Sequence, residues 1–147
     1  VIFTTDPVSG RDVIVIEAGY GLGEGVVSGV VDVDRYYVDK ADCSVVSVHV
    51  GNKAFMVKQH PSGKGTSIVP VESHLRDVPC LAKSDIRANI AIALEDHYAL
   101  SQDIEFGIAN GKLSILQTRP VTTRGQGQIF LTREKVAEEA GIGRGRA

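Results

Sequence analysis

Apolar residues run along this chain in short stretches cut by glycine, proline and aspartate. The first, Val1-Ile2-Phe3-Thr4, is β-branched and aromatic and stops at the turn signal Asp6-Pro7-Val8-Ser9-Gly10. A chain that begins inside a strand implies an upstream part. Residues 12–18 (DVIVIEA) are almost continuously apolar, with Glu17 near the end. That is the pattern of a buried strand that delivers one polar residue to an edge. Residues 35–40, 45–50 and 53–59 read as three more strands, and Gly51-Asn52 predicts a tight hairpin turn between the last two. Residues 60–65 form a loop, and 68–71 a short strand broken by Pro70. The spacing predicts a helix over 84–100. Ser84 is its N-cap, Asp85 lies in its first turn, and Ile86, Ile90, Ala93, Leu94 and His97 share a face, with His97 a buried, hydrogen-bonded core residue.

Two alternating strands follow at 103–108 and 112–117, joined by Asn110-Gly111, the strongest hairpin signal in the chain. A hairpin turning there puts Glu105 and Gln117 at roughly the same level on neighbouring strands. Strict alternation puts Glu105 with Asp103 and Gly107, and Gln117 with Leu113 and Ile115. Beyond them, 122–128 reads as an interdomain linker and 132–140 as a short helix stopped by Gly141.

Four glycines at every second position, Gly19, Gly21, Gly23 and Gly25, interrupt the pattern. Such a stretch is expected to hold neither a regular helix nor a packed strand, and to allow positive φ and close approach of a ligand. Neither GxGxxG nor the P-loop spacing is present. With Glu17 and Glu24 on either side, two readings stay open. Either the backbone approaches a ligand while a carboxylate accepts ribose hydroxyls, or the stretch is a tight connection between two elements.

Composition narrows the function classes. Hydrophobic residues make up 43% and charged residues 23% of 147, enough for a packed core and too apolar for a disordered chain. A net charge of −2 lacks the basic excess of a nucleic-acid or anionic-membrane binder. No apolar run approaches the ~20 residues that span a bilayer. Cys43 and Cys80 have no metal or redox spacing and read as free cytoplasmic thiols. His49, His60 and His74 show no metal spacing either.

Glu105 and Gln117 both offer oxygen, the donor a hard cation such as Mg²⁺ takes. Arg119, two residues past Gln117, offers the fork that fits phosphate oxygens. Together they make either a metal–triphosphate site or merely the solvated polar face of an antiparallel sheet.

Three motifs carry a resemblance. TTDPVSG, EAGYGLGEGVVSGVVDVDRYYVDK and EDHYALSQDIEFGIANGKLSILQTRPVTT resemble the ATP-binding domain of the phosphoenolpyruvate synthase and pyruvate phosphate dikinase family, over residues 1 to about 123. The resemblance implies an α+β fold. Specifically, it implies the C-terminal subdomain of an ATP-grasp domain over 1–123, mostly antiparallel sheet with a few packed helices, and a linker toward a phosphohistidine domain over 124–147. It implies Glu105 and Gln117 as Mg²⁺ ligands and Arg119 as the catalytic phosphate contact. Glu17, Gly21, Gly23 and Glu24 would lie near the nucleotide. Two departures stand out: the family reads HYG-x-PQDIE where this chain has Ala99 and Ser101, and it places Pro where Val33 precedes Asp34. The resemblance further implies a cytoplasmic enzyme that turns ATP, pyruvate and water into phosphoenolpyruvate, AMP and phosphate through a phosphohistidine, and admits a homodimer of the full-length enzyme. Rifampicin phosphotransferase-like enzymes and other dikinases share the pattern. A non-catalytic nucleotide-sensing module is the alternative from another class.

Overall fold

The computed structural model describes residues 1–121 and, beyond them, the backbone of two short paired strands. In chain order the elements are β1 (Ile2–Phe3), β2 (Ile14–Ala18), α1 (Gly23–Val27), β3 (Asp34–Val38), β4 (Val45–His49), β5 (Phe55–Gln59), β6 (Thr66–Pro70), α2 (Ser73–Arg76), α3 (Ala88–Tyr98), β7 (Gln102–Ala109), β8 (Lys112–Pro120), β9 (Thr123–Arg124) and β10 (Ile129–Phe130). Six strands form one antiparallel sheet in the order β4-β3-β2-β1-β7-β8, while β5 pairs with β6 and β9 with β10. The fold is thus mainly antiparallel sheet with a few helices. The expected helix over 132–140 and most of the expected linker over 124–147 lie outside the described residues.

The central strands are apolar on both sides because both sides are covered. Ile14 and Ile16 of β2 pack with Ile2, Tyr36, Val38 and Ile104 against Ala88 and Ala91 of α3. Val13 and Val15 pack on the opposite face with Phe3, Val26 of α1 and Val57 of β5. This burial on two faces accounts for the unbroken run at 12–18. Glu17 shares the face of Val13 and Val15, the α1 side.

Four local expectations are corrected. First, Gly51-Asn52 is a crossover rather than a hairpin, since β4 pairs with β3 while β5 pairs with β6. Gly51 passes so close to β3 that a Cβ there would lie 2.2 Å from the Val33 carbonyl oxygen. Second, the glycine stretch does hold a helix, the short α1. Of its four glycines only Gly21 has positive φ, +82°. Gly25 sits in α1 because Val57 leaves no room for a side chain, its Cγ2 being 2.8 Å from where a Cβ would stand.

Third, the helix at 84–100 starts late. Residues Lys83–Asp85 form a separate 3₁₀ turn in which Asp85 Oδ2 accepts the Ala82 amide, and α3 begins at Ala88 with no side-chain cap from Arg87. Its inward face carries Ala88 and Ala91 with Ile92 and Leu94 beside them, whereas Ala93 and His97 are exposed. Glu95 decides that rotation, because its carboxylate takes the Thr4 hydroxyl at 2.9 Å and Lys40 Nζ at 2.7 Å. His97 merely sets its ring edge-on to Tyr98, centroids 4.8 Å apart.

Fourth, the β7–β8 hairpin turns at Asn110-Gly111 as expected, with φ of 52° and 73°. A bulge then shifts the register, so that Glu105 faces Gln117 while Phe106 faces Ile115. Gln117 and Ile115 therefore lie on opposite faces rather than sharing one. Leu116 is the extra residue.

Candidate functional site

The β7–β8 pairing positions the first three candidates. Residues opposite each other in an antiparallel pair share a face, with Cβ atoms about 5 Å apart. Glu105 opposite Gln117 and Asp103 opposite Arg119 therefore form a two-by-two polar patch on one side of the sheet. Arg119 donates from Nε at 3.2 Å and Nη2 at 3.0 Å to the same oxygen, Asp103 Oδ2. The other oxygen, Asp103 Oδ1, is buried and accepts no hydrogen bond. A buried, unused carboxylate oxygen is costly unless something binds it. Asp103 was not among the residues expected to act. The signal available was its place two residues before Glu105 on the same face.

A cleft of about 470 Å³ opens beside Val1, between the end of β2 and β7, with α1 on one side and Cys80, Leu81 and Phe106 on the other. Glu17, Gly21, Gly23 and Glu105 all line it, so the glycine stretch and the β7 carboxylate do meet. Gln117 and Arg119 continue the Glu105 face beyond the cleft lining, and Glu24 sits exposed on the first turn of α1, outside that lining.

Glu17 is buried and paired, its Oε1 accepting Arg35 Nη2 at 3.0 Å. Burial works against the Arg35 charge, but the Glu17 carboxylate and the Tyr37 hydroxyl together outweigh that and hold the guanidinium above its ordinary range. The two glycines differ in kind. A Cβ on Gly21 would lie 2.4 Å from the Val57 carbonyl oxygen, so that glycine's bareness serves contact with β5, where Leu22 N–H also donates to Val57 O at 2.8 Å. A Cβ on Gly23 would meet no packed neighbour within 4 Å, and this residue lines the cleft.

Cys80 and Leu81 close another side of the cleft. Both cysteines are free thiols. Burial, reinforced by the charge of Asp34 and its hydrogen bond, pushes the Cys80 thiol up to about 12, so it is no nucleophile at neutral pH.

Among the described residues no three of His, Cys, Asp and Glu come close enough to hold a metal ion by themselves. A cation at this patch would thus need the Gln117 amide oxygen and oxygens from its ligand. The donor set is all oxygen, which suits a hard cation.

A family model described as the AMP/ATP-binding domain of pyruvate phosphate dikinase matches residues 1–139. The chain belongs to this family. Within it, the domain is 38% identical to a probable phosphoenolpyruvate synthase of Methanocaldococcus jannaschii over 97% of this chain and 12% of that protein. It is 39% identical to a phosphoenolpyruvate synthase of Pyrococcus furiosus over 95% of this chain and 18% of that protein. A prodigiosin synthesizing transferase of Serratia marcescens is 34% identical over 84% of this chain and 14% of its own length. The AMP/ATP-binding domain chain thus spans less than a fifth of each of these relatives. Among its described residues no helix is long and apolar enough to cross a membrane.

Proposed function

We propose that this AMP/ATP-binding domain forms one wall of an ATP-grasp clamp in a phosphoenolpyruvate synthase-like phosphotransferase. One observation carries the reading: the bulged β7–β8 register sets Glu105 against Gln117 and Arg119 against Asp103 on a single face. In this reading Glu105 and Gln117 would hold Mg²⁺, and the unused Asp103 Oδ1 adds acceptor density beside them. Bound Mg²⁺ would neutralise charge on the phosphates. Arg119, braced by Asp103, presents its remaining guanidinium donors to a phosphate and balances charge that spreads in a loose transition state. Glu17 and Gly23 line the approach of the nucleotide, Gly21 keeps β5 close beneath it, and Glu24 flanks the entrance. The complete enzyme would be cytoplasmic and pass the phosphoryl group through a phosphohistidine domain to pyruvate, releasing AMP and phosphate. Residues 1–123 would be the subdomain proper and 124–147 its link onward.

The test is a double-mutant cycle in the full-length enzyme, measuring pyruvate-dependent AMP formation. Glu105→Ala and Gln117→Ala should each remove most of the activity. The pair should be little worse than Glu105→Ala, because both remove the same shared ion. Fully additive losses would mean two separate jobs and sink the shared-ion site. AMP formation that ignores pyruvate would instead point to a different acceptor.

A further inference from the structure

The most deeply buried ion pair in the described residues lies away from Glu105 and Gln117. Asp34 opens β3 and Lys53 precedes β5. Their side chains are 0% and 1% exposed, and Lys53 Nζ stands 2.6 Å from Asp34 Oδ1. The same oxygen accepts the Gly51 amide at 3.0 Å. Asp34 Oδ2 accepts the Cys80 amide at 2.7 Å and lies 3.5 Å from the donating Tyr36 hydroxyl. Lys53 also donates to the carbonyls of Gly51 at 3.2 Å and Arg76 at 2.9 Å, and the Tyr36 oxygen accepts the Leu81 amide at 3.0 Å.

Burying two charges costs more than their attraction usually returns, so such a pair is a weak device for stability alone. What it does here is geometric. Three stretches outside the main sheet converge on it: the crossover at 51–53, the end of α2 at Arg76, and the segment at Cys80 and Leu81. The last of these walls the cleft. The crossover leads into Met56 and Val57, the residues on which Gly21 rests. One wall of the cleft and the support beneath Gly21 therefore hang from one carboxylate.

We propose that Asp34 and Lys53, with the Tyr36 hydroxyl, are positioning residues that tie the Cys80–Leu81 wall and the β5 support of Gly21 to β3, and so hold the nucleotide cleft at its working width. This rests on the reading of the cleft as a nucleotide site.

The test measures the dissociation constant of a Mg²⁺ complex of non-hydrolysable ATP by calorimetry on the full-length protein, alongside thermal unfolding. Lys53→Met and Asp34→Asn each leave one buried charge unpaired and should lower the melting temperature. The double variant Asp34→Asn with Lys53→Met removes both charges, so its melting temperature should rise above that of either single variant. The Asp34→Asn change, however, leaves a single carbonyl oxygen for the two amides of Gly51 and Cys80. The dissociation constant of the double variant should stay raised tenfold or more, a separation that a merely stabilising pair would not show. Tyr36→Phe keeps the ion pair and removes the hydroxyl that accepts the Leu81 amide and donates to Asp34 Oδ2, so it should fold and raise the dissociation constant about threefold or more. Wild-type affinity in Tyr36→Phe, or in the double variant where it folds, overturns the proposal. Glu105→Ala, titrated in parallel, separates the two levels. If it too binds like wild type, the nucleotide reading of the cleft has failed and the positioning role falls with it.

Discussion

Gly21 and Gly23 are two residues apart, line the same cleft and should respond to alanine in opposite directions. Gly21 has φ +82°, and a Cβ there would stand 2.4 Å from the Val57 carbonyl oxygen and 3.0 Å from Met56 Cβ. The left-handed backbone alone costs an L-residue roughly 1–2 kcal/mol. Displacing a packed backbone carbonyl adds about 1–3 kcal/mol, as other overpacking changes do. Gly21→Ala should therefore lose about 2–5 kcal/mol. Gly23 has empty space around it and helical backbone in α1. Alanine in a helix is better than glycine by roughly 0.5–1 kcal/mol, so Gly23→Ala should be neutral or slightly stabilising. Urea unfolding of the chain with matched m-values reads both changes. Two variants within about 1 kcal/mol of each other would refute the reasoning, because the contact with β5 would then not be what requires glycine at 21.

Ala99 ends α3 in the left-handed conformation at φ 55°, at the place where the resembling motif has glycine. Ala99→Gly should stabilise the chain by about 1 kcal/mol in the same urea assay, and a loss would show that the left-handed cap is not strained. Iodoacetamide at pH 8 should label exposed Cys43 and spare Cys80, read by peptide mass; equal labelling rates would contradict the burial that pushes the Cys80 thiol up to about 12. Because that folded value lies above the ordinary thiol pKa of about 8.5, the protonated form's contribution to stability is complete below pH ~8.5 and is lost as pH rises toward 12. Cys80→Ala should flatten part of that alkaline fall in denaturation midpoints measured between pH 8 and 11. Arg119→Lys should lose far more phosphoryl transfer than a retained charge suggests, since Lys cannot keep the two-point grip on Asp103 Oδ2 and still offer a fork to phosphate; near-wild-type turnover would argue that only the charge matters there.

Much of the candidate site was legible in the sequence. Asn110-Gly111 encodes its own positive φ angles, and counting outward from that two-residue turn brings Glu105 opposite Leu116, one residue short of Gln117 and so at roughly the same level. The Arg119 fork and the glycine stretch were visible for the same reason: each is carried by residue types within a few positions of one another. What strict alternation missed was the bulge at Glu105 and Phe106, which turns Ile115 away from Gln117 and makes Leu116 the extra residue. Nor did anything near Asp103 in the chain foretell that one of its oxygens would be buried without a partner.

The same division runs through the fold. Strand-forming runs and turn residues reflect local sterics, so β1, β2, β3, β7 and β8 lie close to where the pattern puts them. The crossover at Gly51, the rotation of α3 about Glu95 and the helix within the glycine stretch follow instead from Val33, Lys40 and Val57, none of them a chain neighbour of the residue it constrains. The Asp34–Lys53 pair joins residues 19 apart and reaches Cys80 another 27 positions on. Close packing and the need to satisfy every buried charge act through space, and only the folded chain brings those partners within range.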